Sequence, residues 1–418
     1  MARRSANTDW QLAALALALS AFGVAMVYSA GQLERATIYE HLWRMQLAWL
    51  AIGVCTAFLV SRTSSRFIEW AAVPAFAVAL VLLAALMIRG VGSGGGTAEH
   101  TRSWLTIGGV RLGQPSELAK IAVILLLARL LAARREAPDS LFDLWKPMAA
   151  VGVPWVLIML QPDLGTGMVL IGIFFAMLYW SGTSGTLLLL VASPAVSLVL
   201  AFSTGLWGAW FLVLLAIVVW YKPYVLEGVV VVAANVVMGV VAPMLWGRLE
   251  SYQQNRLLSF LNPDSDRLVS GYHLFQSQVA IGSGGWIGKG FTLGTQKRLS
   301  FLPTQHTDFI FPVIGEELGF AGVTIALALL CILMLRSVRI ATRAVDPFLG
   351  LVAFGLASAW SVHVIVNVGM TVGLMPITGI PLPFFSYGGS FMLACWIGVG
   401  VLLRISATGR GRAETLAI

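Results

Sequence analysis

Residues 164–221 read LGTGMVLIGIFFAMLYWSGTSGTLLLLVASPAVSLVLAFSTGLWGAWFLVLLAIVVWY, and the stretch contains no Asp, Glu, Lys, Arg or His. Soluble domains carry roughly a quarter charged residues, so a run of this length does not belong to one. Two polar breaks, Ser181-Gly182-Thr183-Ser184-Gly185 and Ser203-Thr204-Gly205, divide it into apolar runs at 165–181, 184–203 and 206–221. Each approaches the ~20 apolar residues that a membrane-spanning helix needs. The runs show no strict alternation, which excludes a transmembrane β-barrel.

The rest of the chain reads the same way. Over 418 residues it is 58% hydrophobic and 11% charged, with mean hydropathy +0.85. A soluble globular enzyme and a disordered chain are both excluded. The fold class is an all-α polytopic membrane protein. Nine further candidate spans lie at about 11–29, 43–61, 67–88, 116–134, 148–161, 227–247, 312–335, 348–374 and 384–404, giving twelve in all. Residues 1–418 are read as one integral membrane domain with two long outer loops, 89–115 and 248–311. With the N-terminus inside, 15 of the 27 Lys and Arg fall on the inner side, among them Arg3, Arg4, Arg62, Arg66, Arg134, Arg339 and Arg404. Positive charge collects on cytoplasmic loops, so the net charge of +8 speaks for orientation and not for nucleic acid. Both termini are expected in the cytoplasm. Arg3 and Arg4 before an apolar run, with Tyr28-Ser29-Ala30 after it, resemble a signal peptide. The run is longer than such a core, and an uncleaved first helix is expected. Cys55, Cys331 and Cys395 sit in apolar runs without metal or disulfide spacing.

Polar residues at membrane depth point to function. Gln114-Pro115-Ser116-Glu117 has the form of a helix start. Glu117 and Lys120 share one helix face and can pair. They form either a structural ion pair or the polar wall of a cavity. Asp163, in Gln161-Pro162-Asp163-Leu164-Gly165-Thr166-Gly167, either partners Lys120 or caps the next helix. Trp104 reads first as an interface anchor. The long loop ends Thr304-Gln305-His306-Thr307-Asp308-Phe309-Ile310-Phe311, a carboxylate beside a His where the chain re-enters the membrane. Partial dehydration there suits a general base. The plain alternative is a helix cap by Thr307 or Asp308. Glu316 and Glu317 follow, about 12 Å deeper on a continuous helix, and either line the same cavity or face polar partners. His363 and Asn367 are read as helix-to-helix hydrogen-bonding groups. Residues 373–390, rich in Gly and Pro, cannot continue a helix.

Four of these segments together resemble the SEDS family (shape, elongation, division and sporulation): Gln114–Lys120, Gln161–Gly167, His306–Phe311 and Pro381-Leu382-Pro383-Phe384-Phe385-Ser386-Tyr387-Gly388-Gly389-Ser390. Gly294-Thr295-Gln296 and Thr8-Asp9-Trp10 resemble the elongation (RodA-like) members more than the division (FtsW-like) ones. The resemblance implies a peptidoglycan glycosyltransferase that polymerises lipid II on the outer face of the bacterial cytoplasmic membrane. It also implies ten spans, two fewer than counted, with the surplus near 184–221. An even surplus keeps Asp308 outside. In the family the Asp of the His-Thr-Asp motif is essential and the Trp before the Gln-Pro-Ser-Glu segment is important, which fall on Asp308 and Trp104.

The implied chemistry is coherent. A sugar hydroxyl is a poor nucleophile, so a carboxylate base helps, and Asp308 is the candidate. The pyrophosphate leaving group needs cationic help from Arg102, Lys120, Arg256 or Arg298, or from a divalent cation such as Mg or Mn. Glu117, Asp163, His306, Thr307 and Ser386 complete the candidate cavity. The expected partner is a class B penicillin-binding protein, within the elongation machinery, because the chain has no domain able to cross-link peptides. Its membrane helix is expected to pack on the small residues Gly355, Ala357 and Ala359. The rival readings are a flippase for the same lipid and a scaffold. A transporter places its key charges near the midplane, whereas here the carboxylate stands at the membrane end of a large loop.

Overall fold

A computed structural model describes residues 9–33, 38–88, 90–94, 102–108, 110–247, 254, 271–299, 301–302 and 304–416. All twelve expected spans are helices. They are α1 (Trp10–Gly31), α2 (Leu42–Arg62), α3 (Ser65–Ala85), α4 (Pro115–Ala132), α5 (Trp145–Met159), α6 (Leu164–Trp180), α7 (Gly185–Leu200), α8 (Thr204–Tyr221) and α9 (Val225–Trp246). After the long loop's own short helices α10 (Tyr272–Ser283) and α11 (Thr295–Arg298) come α12 (Ile310–Arg343), α13 (Pro347–Val372) and α14 (Gly389–Leu416). Among the described residues, nine helical stretches have the length and apolarity to cross a membrane; α6 and α7 are apolar but shorter, and α4 carries Glu117, Lys120 and Arg129. Helix starts follow the local chemistry. Ser64 caps α3 on Phe67 N, Asp163 caps α6 on Thr166 N, and Pro115 occupies the first turn of α4.

The outer loop between α3 and α4 carries short strands. Gly92–Ser93 (β1), Trp104–Ile107 (β2) and Val110–Gly113 (β3) form a small antiparallel sheet in the order β1-β2-β3. Gly108, at φ +60°, opens the tight turn joining β2 to β3.

The 34-residue α12 breaks at Gly319, where φ is +64°. A broken helix leaves backbone groups that lipid cannot satisfy. The segment after α10 supplies their partners. Lys289 N and Gly290 N donate to Glu316 O and Glu317 O, each at 3.0 Å, while Phe320 N and Ala321 N donate to Gly285 O and Trp286 O at 2.8 and 3.0 Å. Such close backbone pairing requires glycine. A Cβ on Gly284 would stand 2.0 Å from Gly315 O, and one on Gly288 2.1 Å from Glu317 O.

Two expectations change here. Gly355, Ala357 and Ala359 do not form an outer docking face. The most apolar windows of α13 and α14 are 72% buried, and a Cβ on Gly355 would meet Ile124 Cγ2 at 2.7 Å. Their small size lets α13 pack inside the bundle, against α4 and α6. Glu316 and Glu317 do not face the cavity either. Glu316 accepts from Lys289 Nζ (2.7 Å), Thr295 Oγ1 (3.0 Å) and Gln296 N (2.9 Å). Glu317 pairs with fully buried Lys297 at 2.5 Å, and Lys297 also donates to Ser29 O and Ser29 Oγ. The two glutamates therefore fasten the loop to the bundle. Because Ser29 belongs to that fastening, the end of α1 is tied to the long loop.

Candidate active site

The first turns of α2, α4, α6 and α14, the turn that precedes α12, His363 of α13 and the segment that follows α13 meet around one cavity of about 410 Å3. Helices that alternate in direction bring their starts to one face only if the number of crossings between them fits. The starts of α2, α4, α6 and α14 therefore lie on one side of the bundle. The Arg and Lys clusters at the ends of α2, α4 and α12 lie at the opposite ends of those helices.

Asp308 lines the cavity and is 8% exposed. It sits in a tight turn built on Thr304, whose φ is +44°. Thr304 O accepts from Thr307 N at 3.0 Å and from Thr307 Oγ1 at 3.1 Å. His306 packs on Tyr39 with the rings tilted by 31° and their centroids 4.8 Å apart, and meets Tyr387 edge-on at 5.9 Å. Burial pushes its imidazole down to about 4, so the ring is neutral at physiological pH. A neutral His306 held between two aromatic rings braces the turn; it is not a standing positive charge for an anionic substrate.

On the far wall, Lys120 Nζ lies 2.8 Å from Glu117 Oε2 and 2.8 Å from His363 Nε2. His363 Nδ1 faces Pro381 O at 3.1 Å. Nδ1 must therefore carry the proton and donate, which leaves Nε2 to accept from the ammonium. Lys120 also lies 5.5 Å from the Phe391 ring centre. Asp163 takes the capping alternative. It accepts from Thr166 N (3.0 Å), Thr166 Oγ1 (2.9 Å) and Gln114 Nε2 (3.3 Å), while Lys120 pairs with Glu117. Trp104, on β2, lines the cavity, with the Arg111 guanidinium 6.0 Å from its ring.

Comparison with known proteins now decides the family. The model of the FtsW/RodA/SpoVE cell cycle proteins matches residues 9–213 and 203–411. The chain belongs to this family. It is 35% identical over 407 residues to the peptidoglycan glycosyltransferase MrdB of Escherichia coli K12, covering 96% of this chain and 93% of that one. It is 33% identical over 438 residues to the peptidoglycan glycosyltransferase RodA of Treponema pallidum, covering 97% and 99%. A solved peptidoglycan synthase complex that coordinates polymerisation and crosslinking contains a similar chain, with TM-score 0.70, 28% identity and coverage of 96% and 98%. The rod shape determining protein RodA of Thermus thermophilus superposes with TM-score 0.61 at 26% identity, covering 97% and 98%. The likeness is to RodA-type members of the family, with the same all-α membrane architecture.

In this SEDS chain, the cavity gathers Trp104, Glu117, Asp163, His306, Thr307 and Asp308, with Lys120 immediately behind Glu117. The other expected cations are not in it. Arg102 and Arg298 are exposed and absent from the lining, and Arg256 lies outside the described residues. Arg111 stands there instead, donating to Gly94 O at 2.7 Å from β3. Ser386 is buried behind the cavity, where its hydroxyl donates to Thr307 O and accepts from Leu382 N. His363 does join two helices, through Lys120, but Asn367 reaches loop backbone, not another helix.

Proposed function

We propose that this membrane protein is a peptidoglycan glycosyltransferase of the elongation type, polymerising lipid II at this cavity with Asp308 as the general base. One observation carries the reading: a buried carboxylate, on a braced turn, lines a cavity within the helix bundle whose lining also holds the Trp104 ring and the Arg111 guanidinium. The acceptor's sugar hydroxyl loses its proton to Asp308 as its oxygen attacks the anomeric carbon of the donor strand. The bond from that carbon to the polyprenyl pyrophosphate breaks, and Arg111 is placed to meet the departing charge. Trp104 offers an apolar face to a sugar ring. Among the described residues no three His, Cys, Asp or Glu side chains cluster as a metal cage. A divalent ion would be held by Asp308 together with substrate oxygens, in the manner of sites that share phosphate ligands.

The mouth of the cavity faces outward and both termini are cytoplasmic, because the Arg- and Lys-rich helix ends lie on the other face. A class B penicillin-binding protein is the expected partner, since the chain resembles a component of a complex that also crosslinks. With α13 and α14 enclosed, a single partner helix has to pack on a lipid-facing helix.

The test is purified Asp308→Asn with labelled lipid II, read as glycan chains on a gel. The substitution keeps size and hydrogen bonding but loses the base. Polymerisation falls by about 10²–10⁴-fold while the protein still inserts and binds its partner. Near-normal synthesis beside active wild type refutes the role. A flippase predicts that chain growth in detergent survives and that only lipid movement is lost.

A further inference from the structure

The backbone of the His306-Thr307-Asp308 turn is held by an element far from it in sequence. Three consecutive carbonyls each accept one hydrogen bond from α13 or the connection after it. Tyr387 N donates to His306 O at 2.8 Å, Ser386 Oγ to Thr307 O at 2.6 Å, and Asn367 Nδ2 to Asp308 O at 2.9 Å. None of these donors is idle elsewhere in a way that would let it drift. Asn367 is fully buried and also donates to Ile380 O at 2.6 Å. Ser386 is 1% exposed and accepts from Leu382 N at 2.7 Å. Gln46 on α2 closes the arrangement, donating to Ser386 O at 3.0 Å and accepting from Gly388 N at 3.2 Å.

We infer that Asn367 and Ser386 are positioning residues for Asp308, setting the direction of its carboxylate through the main chain without touching substrate. The inference rests on the reading of Asp308 given above. Its physical basis is twofold. A buried carbonyl that loses its donor is costly, so each bond resists displacement of the turn. Three bonds to successive carbonyls fix rotation as well as translation, and proton transfer in a near-attack geometry is sensitive to shifts of about 1 Å. The donors flank the Gly- and Pro-rich segment 373–388: Asn367 precedes it on α13, and Ser386 and Tyr387 stand at its far end, in a turn where Phe385 N and Ser386 N donate to Leu382 O. That segment acts as a template for the turn.

The experiment uses the full chain, purified in detergent, with kcat and KM measured on lipid II. Ser386→Ala removes the donor to Thr307 O, and Ser386→Thr restores it. Asn367→Asp replaces the twofold donor with a group of the same size. The expected result is a fall in kcat of at least about tenfold for Ser386→Ala, with KM within about twofold of wild type, and recovery of most of the rate in Ser386→Thr. If Ser386→Ala does not fold, Asn367→Asp is read by the same kcat and KM criteria. A kcat near that of wild type, a matching rise in KM, or failure of both variants to fold overturns the inference. Asp308→Asn runs in parallel to separate the two ideas. An active Asp308→Asn refutes the base itself, whereas an inactive Asp308→Asn beside a fully active Ser386→Ala and Asn367→Asp removes only the positioning role.

Discussion

Removing the ammonium of Lys120 tests whether the charges on α4 form one unit. Lys120→Met keeps the length and most of the volume of the side chain but leaves Glu117 buried without its counter-charge, which sits 2.8 Å away in the native protein. Breaking a buried pair from one side costs about 3–5 kcal/mol. The imidazole of His363 also loses its donor at Nε2, adding about 1 kcal/mol. Glu117→Gln is milder, because Lys120 keeps His363 as an acceptor and the amide still offers an oxygen; about 2 kcal/mol is expected. In the double variant no unpaired charge remains. Its total should be about 2–3 kcal/mol, well below the sum of about 6–8 kcal/mol for the single changes, so the coupling is about 4–5 kcal/mol. The assay is reversible unfolding of the detergent-solubilised protein in mixed micelles of increasing SDS fraction, for wild type, both single variants and the double. Additivity to within about 0.5 kcal/mol would refute the account and reduce the 2.8 Å contact to a coincidence of packing.

Two further outcomes are expected. Because the folded-state pKa of His306 lies near 4, below the ordinary 6.5 of the unfolded chain, the unfolded state alone binds a proton between those values. Stability is therefore full above about 6.5 and falls with acidification, by about 2 kcal/mol at pH 5; melting of wild type and His306→Phe at pH 7 and pH 5 checks it, and an equal pH response in both sinks it. For topology, single cysteines at positions 294 and 339, on a background lacking Cys55, Cys331 and Cys395, should react with an impermeant maleimide from outside at 294 only. Labelling at 339 alone reverses the assigned orientation.

Helix number and type were legible because apolar length is a local property. Helices lie at all twelve places where hydropathy puts a span, including the uncharged block 164–221, and nine of them among the described residues have the length and apolarity to cross a membrane. Local rules also anticipated Pro115 in a first turn, the Glu117–Lys120 pairing and the capping role open to Asp163. What composition could not show were contacts between distant segments. Asn367 reads as a helix-face amide until the chain brings Asp308 O and Ile380 O to it. Glu316 and Glu317 find their lysines in a loop that precedes them. The break at Gly319 involves no proline and becomes tolerable only because residues 285–290 supply its hydrogen bonds. Arg111 had a readable signal that was passed over. Trp104-Leu105-Thr106-Ile107, then Gly108-Gly109, then Val110-Arg111-Leu112 is the pattern of a two-residue hairpin. It places Arg111 close to Trp104.

The meeting of helix starts around the cavity has an electrostatic consequence. The side chains of the lining are acidic on balance, with Glu117, Asp163 and Asp308 against the single guanidinium of Arg111. A pyrophosphate would be repelled by that sum. Yet each helix N-terminus carries the equivalent of roughly half a positive charge on its free N–H groups. Asp163 cancels that of α6 by capping it, and Lys120 offsets Glu117. The first turns of α2, α4 and α14 border the same space, at Met45, Glu117 and Gly389. Attraction for an anion is thus distributed through the backbone of three helices. No single side-chain replacement can abolish it, and because main-chain dipoles do not titrate, it persists at any pH at which the bundle stays folded.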